Sequence, residues 1–137
     1  MRGALVAAPA WALLVVAWLL TPQHSGYGTH EELGLPACSF LTRTGLPCPS
    51  CGLTTAVSAT AHGRAGLALR AQPFGVLLFL AIAAGAILGG AELATGRSIL
   101  HVLRPRLWWL AAALAAWLAG WGIAIAAGLA AGRLPIH

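Results

Sequence analysis

Three stretches of the chain are almost free of polar side chains, and the segments between them are not. The first runs from Ala4 to Leu20 without a charge, directly after Arg2. The second, Phe74 to Ala94, begins after Gln72-Pro73, where a proline in the first helical turn sacrifices no hydrogen bond because that N–H has no helical partner. The third, Leu107 to Ala131, follows Arg104-Pro105-Arg106 and opens on Trp108-Trp109, rings that favour the membrane–water interface. The pattern predicts an all-α membrane protein with three transmembrane helices at 4–20, 74–94 and 107–131, forming one domain. Ala4 to Leu20 spans about 25 Å at ~1.5 Å per residue, slightly short of a bilayer core. The bulky exit Trp18-Leu19-Leu20-Thr21-Pro22 lacks the small-residue pattern of a signal cleavage site, so the segment is expected to be a retained anchor.

Between the first two spans lies a long polar segment: a cysteine loop over 21–50, then a short amphipathic or re-entrant helix over 51–62. In that helix Leu53, Ala56, Val57 and Thr60 are expected on one face and Thr54, Thr55, Ser58 and His62 on the other. Gly63 interrupts it, and Arg64 argues against a further crossing, since a central charge costs roughly 2.5–3.5 kcal/mol on the insertion scale. The helix is expected to lie on the membrane surface. Both later spans carry small residues at spacing four, Ala81, Gly85 and Gly89 in one and Gly120, Ala124, Gly128 and Gly132 in the other. Such stripes allow close backbone approach, either within the chain or in a homo-oligomer.

Composition agrees with a bilayer as solvent: 59% of the 137 residues are hydrophobic and 8% charged, too apolar for an ordinary soluble domain. The formal charge of +5 comes from eight arginines against Glu31, Glu32 and Glu92. They are scattered singly, with no basic stripe or aromatic platform, which excludes nucleic acid and fits lipid headgroups instead. Arg97, Arg104 and Arg106 crowd the Thr95 to Arg106 loop and mark it as cytoplasmic. The amino terminus then shares that side, and the cysteine loop and the Arg133 to His137 tail face outward. Glu92 near the end of the second span is expected to snorkel or pair with Arg97 rather than serve as an ion site. Trp11, Trp18, Trp108, Trp109, Trp117 and Trp121 are expected to act as interface anchors and packing residues, and His101 as a solvated loop residue. No histidine lies within a span, so haem ligation in the bilayer is not available. Phosphate-binding, H-E-x-x-H and G-x-S-x-G motifs are missing from the sequence.

The chemistry is concentrated in Cys38 and in Cys48-Pro49-Ser50-Cys51-Gly52. Three readings stand side by side. In a redox pair, Cys48 caps a helix beginning at Pro49, unpaired N–H groups stabilise its thiolate, and Cys51 and Cys38 are exchange partners. In a zinc knuckle, Cys48 and Cys51 supply two sulfurs from a turn whose glycine permits a positive φ, and Cys38 a third. His62 is then too far to be the fourth ligand, about 16 Å along the helix from Cys51, which leaves His24, His30, Glu31 or Glu32. In the third reading Cys38 bonds to Cys48 or Cys51 and ties the loop down, as is ordinary outside the cytoplasm. The leading expectation is a structural or partner-binding protein; thiol–disulfide oxidoreductase is the enzyme reading.

Cys38-Ser39-Phe40, Thr44 to Thr54, His62-Gly63-Arg64 and Ala71-Gln72-Pro73 together resemble a bacterial membrane family known as domain of unknown function 2752, over about Cys38 to Leu88. Many members of that family look to carry an arginine after the Leu-Thr pair, where this chain has Thr55. The resemblance implies a small bacterial inner-membrane protein and supplies no activity, substrate or cofactor.

Overall fold

The computed structural model describes residues 2–97 and 106–134; His101, Arg104 and the end of the tail, 135–137, fall outside them. Every regular element among the described residues is a helix: α1 Arg2–Leu19, a 3₁₀ helix Thr29–Leu33, α2 Ser39–Thr44, α3 Cys51–Ala61, α4 Ala65–Ala71, α5 Pro73–Thr95 and α6 Leu107–Ala130. The all-helical class expected from the hydrophobic pattern is thus observed. Two helices, α5 and α6, are long and apolar enough to cross a membrane, and α1 contributes a third, shorter apolar stretch over Gly3–Leu19.

The α1–α5 pair is antiparallel and joined by residues with almost no side chain. Along α1 the covered positions are Gly3, Ala7, Ala10, Leu14 and Ala17, spaced alternately by four and three, with Leu14 half-covered and the others buried. That spacing repeats every seven residues and keeps a seam on one side of the helix. Opposite it, Gly89 is so close that a Cβ there would lie 2.9 Å from the Ala7 backbone nitrogen, and a Cβ on Gly3 would lie 3.2 Å from Glu92 Cβ. The α5 stripe is therefore used within the chain, through Gly85, Ala86 and Gly89, whereas Ala81 points outward. On α6 only Gly120, Ala124 and Gly128 are buried, the first against Phe74 and the last against Leu134. The rest of α6 presents an apolar surface that includes Leu107, Trp108, Leu110 and Ile123.

Residues 20–72 form a cap over the α1–α5 hairpin. Its centre is an alanine cluster, Ala56, Ala59, Ala68 and Ala71, flanked by Leu67 and Val76. Two of its pieces, α2 and α4, are six and seven residues long, too short to give a periodic signal in a sequence.

The face assignment of α3 is overturned in part: Ala56 is fully buried, but it is joined there by residues of the opposite expected face. Thr55 and Ser58, expected on the solvent side, are fully buried, while Leu53 and Val57 are half-buried against the α1–α5 groove. Buried hydroxyls require partners, and both have one. The Ser58 hydroxyl donates to the Leu20 carbonyl at 2.7 Å, satisfying an acceptor that the end of α1 leaves without a helical partner. Thr55 shares a hydrogen with Thr29 at 2.8 Å.

Candidate functional site

The cysteine motif is a tight turn feeding α3. The Cys51 N–H donates to the Cys48 carbonyl at 3.2 Å, and the helix proper begins at Cys51 with Ser50 as its cap. This corrects the expected helix start at Pro49, so Cys48 does not cap α3. It also corrects the role of the motif glycine. Gly52 has ordinary helical φ, and its lack of a side chain is required by space, because a Cβ there would collide with the Ala71 carbonyl oxygen. The motif and the Ala71-Gln72-Pro73 segment, twenty residues apart, are thereby pressed together at the root of α5.

Cys38 reaches the same place from the other side. It caps α2, which ends at Gly45 in the left-handed region with φ +71°. The Thr44 hydroxyl donates to the Phe40 carbonyl at 2.7 Å and accepts the Leu46 N–H at 3.1 Å, turning the chain back toward Pro47. As a result the three sulfurs lie within 4.8 Å of one another. All three are free thiols, Cys51 buried and Cys38 and Cys48 half-buried, with Cys48 Sγ and Cys51 Sγ 2.9 Å apart.

The acidities of the outer two positions diverge. For Cys38, partial burial works against ionisation but is outweighed by hydrogen bonding from the Cys51 thiol, then the Leu41 N–H, the Cys48 thiol and the Phe40 N–H, which bring it from 9.0 down to about 7. Cys51 is pushed far up, first by burial and then because its proton is held between the Cys38 and Cys48 sulfurs. The cysteine that stands immediately before a helix is thus Cys38 rather than Cys48, and its lowered pKa owes most to the Cys51 thiol.

Two tryptophans expected to be membrane anchors hold this turn in position. Trp121 Nε1–H donates to the Pro47 carbonyl at 2.8 Å and Trp117 Nε1–H to the Pro49 carbonyl at 3.0 Å, bracketing Cys48. They sit four apart, on one face of α6. Below them the fully buried Gln72 donates through Nε2 to the Trp117 carbonyl at 3.2 Å, so the cysteine turn, the root of α5 and α6 share one polar joint. The sequence signal of that joint is the i, i+4 pair of donor-bearing indoles in an otherwise apolar stretch of helix.

Of the four residues left open as further ligands, Glu32 is occupied, accepting from the Thr21 N–H at 2.9 Å and from Gln23 Nε2 at 3.3 Å. His24 and Glu31 are exposed. His30 lines a cavity of about 280 Å³ together with Leu35, Cys38, Cys48, Ser50, Cys51 and Thr54. His62 lies at the far end of α3, stacked on Trp18 with ring centroids 4.9 Å apart.

No curated protein and no solved structure matches the sequence. The resemblance carried by the cysteine segment is borne out over the stretch that contains the site: residues 38–86 match the model of the family described as Protein of unknown function (DUF2752).

Proposed function

We propose that this is a three-span membrane protein whose cap is closed by a zinc–thiolate centre on Cys38, Cys48 and Cys51, serving a structural and partner-docking role. The observation that carries this reading is the convergence of three sulfurs from two separate segments within 4.8 Å. In a tetrahedral zinc site with Zn–S of about 2.3 Å the sulfurs stand about 3.8 Å apart. No edge of the triangle exceeds 4.8 Å, and the Cys48–Cys51 edge of 2.9 Å needs to open by about 1 Å to admit zinc, within reach of small side-chain rotations. A disulfide can use only two of three thiols, whereas a soft divalent cation uses all of them.

The third crossing is assigned to α1, whose outward face carries Leu5, Trp11, Leu13, Val15, Trp18 and Leu19. Such a face is compatible with lipid and costly in water. The stagger of α6 supports a cap seated in the interface: Gly120 meets Phe74 at the start of α5, leaving about 15 Å of α6 rising beside the cap at ~1.5 Å per residue. The arginines of the 95–106 loop favour a cytoplasmic amino terminus and an outward cap, in a bacterial inner membrane. Because the small-residue faces of α5 and α6 are engaged within the chain, the cap is the surface assigned to a membrane-protein partner.

Thiol–disulfide exchange through Cys48 and Cys51, with Cys38 as relay, is a second reading, favoured by their 2.9 Å separation and by the acidity of Cys38. Elemental analysis and thiol counting on detergent-purified protein decide between the two. The zinc reading expects one zinc per chain, lost on Cys38→Ser, with three thiols recovered after chelation. Metal-free protein with a reducible Cys48–Cys51 disulfide overturns it in favour of exchange.

A further inference from the structure

We infer that His30 is the fourth ligand of the cysteine centre, swinging in from the 3₁₀ helix to complete a three-sulfur, one-nitrogen zinc site. This rests on the zinc reading above and adds what that reading leaves open, the residue that closes the coordination sphere.

The inference starts from α3. Cys51 and Thr55 are four residues apart and both buried, so they lie on the same face of that helix, one turn apart. Thr55 grips the fully buried Thr29 at 2.8 Å, and Thr29 Oγ1 also accepts the Gln23 N–H at 3.2 Å. The residue next to Thr29 is His30. The hydroxyl pair thus fastens the 3₁₀ helix to α3 a single turn from the ligand cysteine, and His30 forms part of the wall of the cavity that holds all three sulfurs.

Its ring is not among the groups already within 4.8 Å of one another, so ligation requires the imidazole to turn inward. The cavity gives it room, and both ends of its helix are glycines in the left-handed region, Gly28 at φ +95° and Gly34 at φ +77°. These conformations are readily adopted only by glycine, so the five-residue helix is set as a compact unit between two permissive joints.

The chemistry is complementary. Zinc displaces the three thiol protons, and three thiolates with one neutral imidazole leave a net charge of −1 on the site. A fourth thiolate or a carboxylate would make it −2. His30 contributes a lone pair without adding charge, and among the described residues no acidic side chain lines the cavity. The competing donors are disposed of by position: Glu32 is bound to Thr21 and Gln23, and His24 and Glu31 do not line the cavity.

The test uses the full chain in detergent, loaded with zinc alone and with cobalt(II) as a spectroscopic substitute. Zinc-edge X-ray absorption is expected to show three sulfurs and one imidazole, and cobalt(II) an intense tetrahedral visible band. His30→Ala should remove the imidazole scattering and weaken zinc binding by about 100-fold or more, since even outer-shell partners of zinc ligands are worth 10–100-fold. His30→Cys should restore four-coordination with a fourth sulfur, a rescue that a merely structural role would not give, and His24→Ala should leave affinity unchanged. Zinc bound by three sulfurs without imidazole, with affinity unaltered in His30→Ala, overturns the assignment of His30 while leaving the three-thiol centre standing. Failure of wild-type protein to bind zinc or cobalt at all overturns both.

Discussion

Along α1 and α5 the helices meet through residues that have almost nothing to bury, Gly3, Ala7, Ala86 and Gly89, while in the cap the largest fully buried side chains are Gln72, Thr29, Thr55 and Ser58, all polar. The contrast follows from what each region must satisfy. On the three-span reading proposed above, the hairpin helices hydrogen-bond their own backbones and lie in hydrocarbon, where close packing rather than burial from water brings apolar helices together, so small residues make the contact. The cap is built of short helices and turns whose ends leave N–H and C=O groups open, and side chains must reach in to answer them. Among the described residues no buried side-chain nitrogen or oxygen lacks a hydrogen-bond partner. The hairpin is held by shape and the cap by specific donors, and the cysteine turn belongs to the second kind.

The sharpest break of this contrast is at Gly52, where the cap also depends on shape. Gly52→Val drives a side chain onto the Ala71 carbonyl, a backbone atom that cannot yield cheaply. Overpacking of this kind costs about 1–3 kcal/mol and sometimes more, and the upper end is expected here, read as a lower unfolding temperature in detergent and newly alkylatable Cys51. Gly90→Ala, with no neighbouring atom within 4 Å of the added methyl group, should change stability by less than about 1 kcal/mol.

A smaller effect separates the tryptophans. Trp121→Phe keeps the ring and deletes the N–H, leaving the carbonyl of the buried Pro47 without that donor, at a cost of about 1–3 kcal/mol. Trp117→Phe should cost about 1 kcal/mol, and both should speed release of bound metal. Trp108→Phe, on the exposed part of α6, should leave the cap and the zinc affinity of the proposed centre unchanged. Equal effects at all three positions would show that the indoles act only as interface anchors.

The smallest perturbation is one of pH. In chelator-treated protein the thiolate of Cys38 should form as pH rises through about 7, against 9.0 for an ordinary thiol, so its alkylation rate climbs two units earlier than that of a model thiol. Cys51 should stay unmodified across the same range, since burial and the neighbouring sulfurs keep its proton in place.

Much of the architecture is readable in the sequence because hydrophobic length is a long-range signal: the long apolar runs around α5 and α6 announce themselves, as does Pro73 at the start of α5. The seven-residue seam of α1 at Gly3, Ala7, Ala10, Leu14 and Ala17 does not, because it is hidden under the higher hydrophobicity of its neighbours. The site is legible only in part. That Cys38, Cys48 and Cys51 belong together follows from their chemistry, but which helix start serves which sulfur depended on Ser50, not Cys48, capping α3. Periodicity misassigned Thr55 and Ser58 because it assumes polar residues face water, and these face Thr29 and the end of α1. Contacts such as Trp121 to Pro47 join residues 74 positions apart, so the indole pair on α6 marks the donors and nothing local names the acceptors.

The most direct test of the three-thiol centre is the intact mass of the protein sprayed gently from detergent micelles, before and after chelation. A native mass raised by a single zinc ion, falling on chelation to that of the chain with every thiol hydrogen retained, is the predicted result. A native mass already two hydrogens below the fully reduced chain, unchanged by chelator and restored by reductant, would mean that two of the sulfurs are bonded to each other and that no metal closes the cap.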